Sequence, residues 1–226
     1  IVKVAGSWAT GNTLNTARYQ LGGAGTRTAG MGFGGYISDN SALHETYDGT
    51  SWVEAADLNT ARSQIGSAGT QTAALTIGGQ TGDPSTAGQN PTEKWNGTSW
   101  TEVGDLNTAR KALPGLGIST AALAVSGRVD PPTVANVEQY DGSSWTEIAD
   151  VNTARFHGTA CGTTTAGLFF GGTVNPPTED KTELWNGTSW TEVNNLNTAR
   201  YGSITSGTTT SAISGSGGNG SAYLAN

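Results

Sequence analysis

The sequence predicts an all-β, five-bladed β-propeller of four-stranded antiparallel blades, closed by a composite blade to which both chain ends contribute. Three observations carry this. The tetrapeptide Asn-Thr-Ala-Arg occurs five times, ending at Arg18, Arg62, Arg110, Arg155 and Arg200, with spacings of 44, 48, 45 and 45. A tryptophan stands ten residues before each of these arginines: Trp8, Trp52, Trp100, Trp145 and Trp190. Gly accounts for 34 of the 226 residues and charged residues for only 13%, so long helix-forming side chains are scarce. A period near 45 residues fits propeller blades or helical arrays, and the Gly, Thr and Ser load excludes the arrays.

Within one unit the elements follow in order. After Arg62, SQIGSAG reads as a first strand, and TAALTIGG as a second, with Ala73, Leu75 and Ile77 alternating; period two means strand. A loop leads to TEKW, the third strand. Asn96-Gly97 then turns the chain into a fourth strand that begins at Trp100. The same turn recurs as Asp48-Gly49, Asp141-Gly142 and Asn186-Gly187, pairs that favour the positive φ of tight hairpins. The expected single domain spans residues 1–226, with blades at about 15–58, 59–106, 107–151 and 152–196, and a last blade from 197–226 plus 1–14. IVKV at the start and AYLA near the end are both eligible as its third strand. The chain opens on Ile1 rather than Met, as a processed product or an excised segment would.

These landmarks carry a family resemblance. A hydrophobic strand ending in Gly-Gly (Gly34-Gly35, Gly78-Gly79, Gly171-Gly172), an aromatic before Asp-Gly or Asn-Gly (Tyr47, Trp95, Tyr140, Trp185), and a Trp five residues later resemble the Kelch repeat over nearly the whole chain. Ser126-Gly127 and Ser216-Gly217 depart from the doublet. The short W-N-G-T-S-W style is similar to Kelch-like repeats of bacterial and viral surface proteins. The resemblance implies that first strands line a channel. The loops from strand four to the next strand one, and from strand two to strand three, then share one face.

On that face, identical residues are expected to hold the ring and differing residues to discriminate. The five Asn-Thr-Ala-Arg arginines and the five tryptophans are read as structural. The arginines are expected to bond blade to blade, to Asp57, Asp105 or Asp150, or to Glu45, Glu93, Glu138 and Glu183, because the guanidinium fork suits carbonyls and carboxylates. What varies follows each Arg: Tyr19-Gln20, Ser63-Gln64, Lys111-Ala112, Phe156-His157 and Tyr201-Gly202. The loops after strand two, starting at Tyr36, Gln80, Arg128 and Thr173, vary too. The candidate ligand-binding set is Tyr19, Gln20, Tyr36, Gln64, Lys111, Arg128, Phe156, His157 and Tyr201. Their aromatic faces and amide groups suit a glycan or a surface protein.

Eleven Lys and Arg against 18 Asp and Glu give a net charge of −7, which disfavours nucleic acid. No apolar run reaches membrane-spanning length, so membrane insertion is not expected. His157 and Cys161 lie about 13 Å apart if both sit on one strand, too far for a nucleophile and its base. Glu54, Glu102, Glu147 and Glu192 recur in phase and read as solvated strand faces, not as the paired acids of a glycosidase. No catalytic residue, metal site or cofactor is expected. The expectation is a non-enzymatic binding module, extracellular or on a virion surface, in a virus fibre or a cell-surface appendage. The alternative is a structural component contacting other subunits of a particle or filament.

Overall fold

The computed structural model describes residues 12–82, 87–174 and 176–224. Every regular element is a strand. The first sheet is β1 (Gly22–Thr26), β2 (Ala29–Phe33), β3 (His44–Tyr47) and β4 (Trp52–Ala55). The second is β5 (Gly66–Thr70), β6 (Ala73–Ile77), β7 (Thr92–Trp95) and β8 (Trp100–Val103). β9 (Gly115–Ile118), β10 (Ala121–Val125), β11 (Val137–Tyr140) and β12 (Trp145–Ile148) form the third. β13 (Thr159–Thr163), β14 (Ala166–Phe170), β15 (Thr182–Trp185) and β16 (Trp190–Val193) form the fourth. β17 (Ile204–Thr208) and β18 (Ser211–Gly215) make a two-stranded fifth sheet. Each sheet is an antiparallel meander in chain order. Blade-like sheets repeated in this way make the chain an all-β propeller.

Successive blades interlock through their faces. Met31, Phe33 and Leu58 of the first blade pack with Ile65, Ala74, Trp95 and Trp100 of the second. Leu75, Ile77 and Leu106 meet Leu113, Ala122, Tyr140 and Trp145. Leu123, Val125, Val137 and Val151 meet Ala160, Phe169, Trp185 and Trp190. Trp100, Trp145 and Trp190, each opening a fourth strand, are thus wedges against the preceding blade. Trp52 is only half-buried, and Trp8 lies outside the described residues.

The arginines correct the expected direction of bonding. Arg110 Nη2 meets Glu138 at 3.0 Å, while Nη1 donates to the carbonyls of Ser126 and Asn136. Arg62–Glu93 and Arg155–Glu183 repeat the pair at 2.8 and 2.9 Å, and Arg18–Glu45 at 2.6 Å. All these partners belong to the arginine's own blade, so the side chain fastens the incoming loop to its own third strand. Asp57, Asp105 and Asp150 are not its ion-pair partners. At this loop a main-chain bond joins neighbouring blades: the N–H groups of Gly35, Gly79, Gly127 and Gly172 donate to the carbonyls of Arg62, Arg110, Arg155 and Arg200. Burial pulls the Arg62, Arg110 and Arg155 guanidinium groups below their usual range, and the paired glutamates oppose that shift. A buried charge of this kind persists only when paired and hydrogen-bonded.

β1, β5, β9, β13 and β17 stand side by side in sequence order, but β17 and β1 are not packed together as the other neighbours are. Tyr223 bridges Gly218 in the register in which Thr178 bridges Thr173. Residues 222–224 therefore lie in the connection after a second strand and do not form a third strand. The competing segment, IVKV, and the rest of the expected closure from residues 1–11 lie outside the described residues.

Candidate functional site

The variable residues converge in pairs. In every repeat, the residue after Arg exchanges two backbone hydrogen bonds with the residue after the second-strand doublet: Tyr19 with Tyr36, Ser63 with Gln80, Lys111 with Arg128, Phe156 with Thr173, and Tyr201 with Gly218. These pairs lie before the first strands rather than at their start, since β1, β5, β9, β13 and β17 each begin three or four residues later. The next residue turns into the left-handed region: Gln20, Gln64, Ala112, His157 and Gly202 have φ of 56°, 53°, 54°, 53° and 60°. That turn aims each N–H at the preceding blade. Gln64, Ala112, His157 and Gly202 donate to the carbonyls of Gln20, Gln64, Ala112 and His157 at 2.8–3.0 Å. An arc of four main-chain links thus runs around the mouth of a central cavity of about 770 Å³. Single non-glycine residues in this conformation carry strain that the surrounding structure must hold.

Side chains decorate this arc unevenly. Tyr19 is 56% exposed, and its ring lies 5.4 Å from that of Tyr36. Gln64 Nε2 donates to Gln80 Oε1 at 2.9 Å. Lys111 and Arg128 both pair with Asp130, Arg128 through Nε at 2.7 Å. Arg128 also lies over the Phe156 ring, 5.2 Å from its centre, a cation–π contact. Phe156 is buried and therefore a wall, not an open stacking face. His157 sits between Phe156 and Tyr201, with ring centres 5.1 and 6.2 Å away. Burial, reinforced by the charges of Arg128 and Lys111, lowers its pKa to about 4, so the ring is neutral at pH 7. Its Nε2 is shielded and has no partner.

Lys111, Arg128, Phe156, His157 and Tyr201 therefore form one continuous cluster. Tyr19 with Tyr36 forms another, and Gln20 stands exposed beside it. Gln64 joins Ser63 and Gln80 between them. Sequence reasoning left out Gln80 and Asp130. Gln80 was detectable, since it follows its glycine doublet as Tyr36 and Arg128 follow theirs; nothing in the repeat pattern pointed to Asp130.

Beneath the rim the cavity is lined by small and hydroxyl-bearing residues such as Ser67, Thr159, Ser203 and Thr205. Ser203 bonds Thr159 and Ser214 across them. Cys161 is buried, which raises its thiol pKa. His44 opens β3 and is wholly buried among Phe33, Trp95 and Trp100. Among the described residues no group of three or more His, Cys, Asp or Glu is placed to hold a metal ion, and no helix is long and apolar enough to cross a membrane.

Fold and site together define a repeat-built propeller with a decorated channel mouth. The solved structure of YjhT shares this architecture, with a TM-score of 0.77 at 13% identity over 92% of this chain and 80% of that one. No family model and no curated protein matches the sequence.

Proposed function

We propose that this chain is a non-enzymatic, Kelch-like binding module that recognises a glycan or a surface protein through the rim of its channel. The setting we propose is an exposed one, such as a virus fibre or a cell-surface appendage. The observation that supports this is the pairing of the two variable positions of every repeat at the same mouth. A repeat scaffold that keeps its Arg–Glu fasteners in four blades while varying this arc sets chemical difference where a ligand meets it. The aromatic surfaces of Tyr19, Tyr36 and Tyr201, set beside the amides of Gln20 and Gln64, give the mix of apolar walls and few polar groups typical of small-ligand sites.

A glycan array compares the wild type with the Tyr19→Ala, Phe156→Ala, Tyr201→Ala triple variant. Because Phe156 is buried, a Tyr19→Ala, Tyr201→Ala double variant is run beside it, with folding checked by thermal melting. Binding lost in a folded variant supports the reading, and binding kept in both contradicts it. A well-folded wild type that binds nothing favours a second reading, a structural component of a particle or filament. Exposed Ile204 and Ile213 on the fifth blade support that alternative, since bare apolar faces favour contacts with other subunits.

A further inference from the structure

One repeat puts charge where the others do not. Lys111 and Arg128, the paired variable residues of the third repeat, share a single carboxylate, that of Asp130. The corresponding pairs, Tyr19 with Tyr36, Ser63 with Gln80, Phe156 with Thr173 and Tyr201 with Gly218, are uncharged. Nearby His157 is neutral at pH 7, because burial first, and then Arg128 and Lys111, lower its pKa to about 4. Two cations against one carboxylate leave this cluster with one positive charge in excess, on a chain whose net charge is −7.

Arg128 is the member of the cluster that faces outward. Its side chain is 31% exposed, against 5% for Lys111 and 15% for Asp130. Asp130 holds its Nε at 2.7 Å, and the guanidinium carbon lies over the Phe156 ring, 5.2 Å from its centre. Neither Nη nitrogen has a hydrogen-bond partner among the described residues. A guanidinium steered through Nε and backed by an aromatic face presents its two Nη groups as a planar fork, which suits the paired oxygens of a carboxylate or sulfate. Bracing of this kind also reduces the side-chain freedom lost when an anion binds.

The surroundings of the fork favour a sugar over a peptide as the carrier of that anion. Ala112 and His157, each one residue on from a member of the cluster or its wall, line the cavity of about 770 Å³, a volume in the range of small-ligand sites. The hydroxyls of Ser67, Thr159, Ser203 and Thr205 below them match those of a sugar. The N–H groups of Ala112 and His157 are already committed to the arc, so they are not offered to a peptide main chain. Resting on the binding role proposed above, we infer that the ligand is an acidic sugar, whose carboxylate or sulfate takes the Arg128 fork while its hydroxyls reach the cavity mouth.

The wild type is titrated at pH 7 with trigalacturonate, its methyl ester, galactose 6-sulfate and galactose, followed by backbone NMR shifts, which read weak affinities. Each acidic sugar that binds should do so at least about tenfold more tightly than its uncharged counterpart, and the tighter of the two names the anion. Arg128→Gln should abolish that preference. Arg128→Lys, which keeps the charge without the fork, should retain a part of it, and Lys94→Gln, which removes a charge from β7, should leave it intact; thermal melting checks that each variant is folded. A neutral sugar bound as tightly as its acidic counterpart, or a preference that survives in folded Arg128→Gln, overturns the inference while the rim remains a sugar site. No saccharide bound by the folded wild type overturns the inference and the glycan-binding role together. Hexaglutamate bound through Arg128, with no acidic sugar bound, overturns the inference and assigns the fork to an acidic peptide.

Discussion

Trp190 shows how a repeat exposes its own defects. Its indole N–H is buried without a partner, whereas Trp145 donates to Thr92; at the equivalent position below Trp190 stands Val137. Val137→Thr is nearly isosteric and restores the acceptor, so it should stabilise the fold by about 1 kcal/mol and raise the melting temperature by about 2–4 °C. His157 makes a second single-residue test. Its folded pKa of about 4 lies below the ordinary 6.5, so its contribution to stability is complete above pH 6.5 and is lost as pH falls through 4. Urea midpoints measured from pH 7.5 to 3.5 should fall over that window. His157→Gln, which installs the residue found at this position in the first two blades, should flatten part of the slope. Buried His44, also lowered by burial, keeps the remainder. At this scale the sequence marked the arginines by their recurrence and offered the glutamates as eligible partners. It did not reveal that the ion pair closes within one blade, because phase along the chain says which residues recur and not which strand folds back over them.

Among the elements, the hairpin from the first strand to the second explains a recurring glycine. Gly25, Gly69, Gly117, Gly162 and Gly207 recur seven residues after each Arg, and Gly117 has φ of 99°. A Cβ there would stand 2.3 Å from the carbonyl oxygen of Ala121 on the returning strand. Gly117→Ala therefore combines a forbidden φ with a backbone clash, and denaturant titration should show a loss of at least about 2 kcal/mol. Strand existence, the hairpins at Asn-Gly and Asp-Gly, and the Trp at the start of each fourth strand were all legible from period and turn chemistry. The left-handed turn at Gln20, Gln64, Ala112 and His157 was not. Those side chains carry no conformational signal, and what enforces the turn is a hydrogen bond to a different blade. Ser126 is similar: it holds a glycine's place with φ of 54°, while its hydroxyl bonds to Val134 and Arg155.

Across the whole molecule, packing is strongest in the middle of the arc and weakest at its end. Leu123 and Ile213 occupy the same repeat position, yet Leu123 is wholly buried and Ile213 is 56% exposed. Leu123→Ala should cost about 2–5 kcal/mol, and Ile213→Ser no more than about 0.5 kcal/mol; calorimetric melting of the two variants compares them directly. The architecture was legible because five in-phase landmarks overdetermine it. The proposed function rests instead on the few positions where the repeats disagree, and the cross-strand pairs show how those positions meet two by two at one mouth. Hydrogen–deuterium exchange of the chain with and without a ligand from the glycan screen tests that claim most directly. Protection is expected at residues 19–23, 36–40, 156–158 and 201–203, on the rim, and none at the outer hairpin turns around Gly49, Gly97, Gly142 and Gly187. Protection confined to those turns, with an unchanged rim, would contradict it.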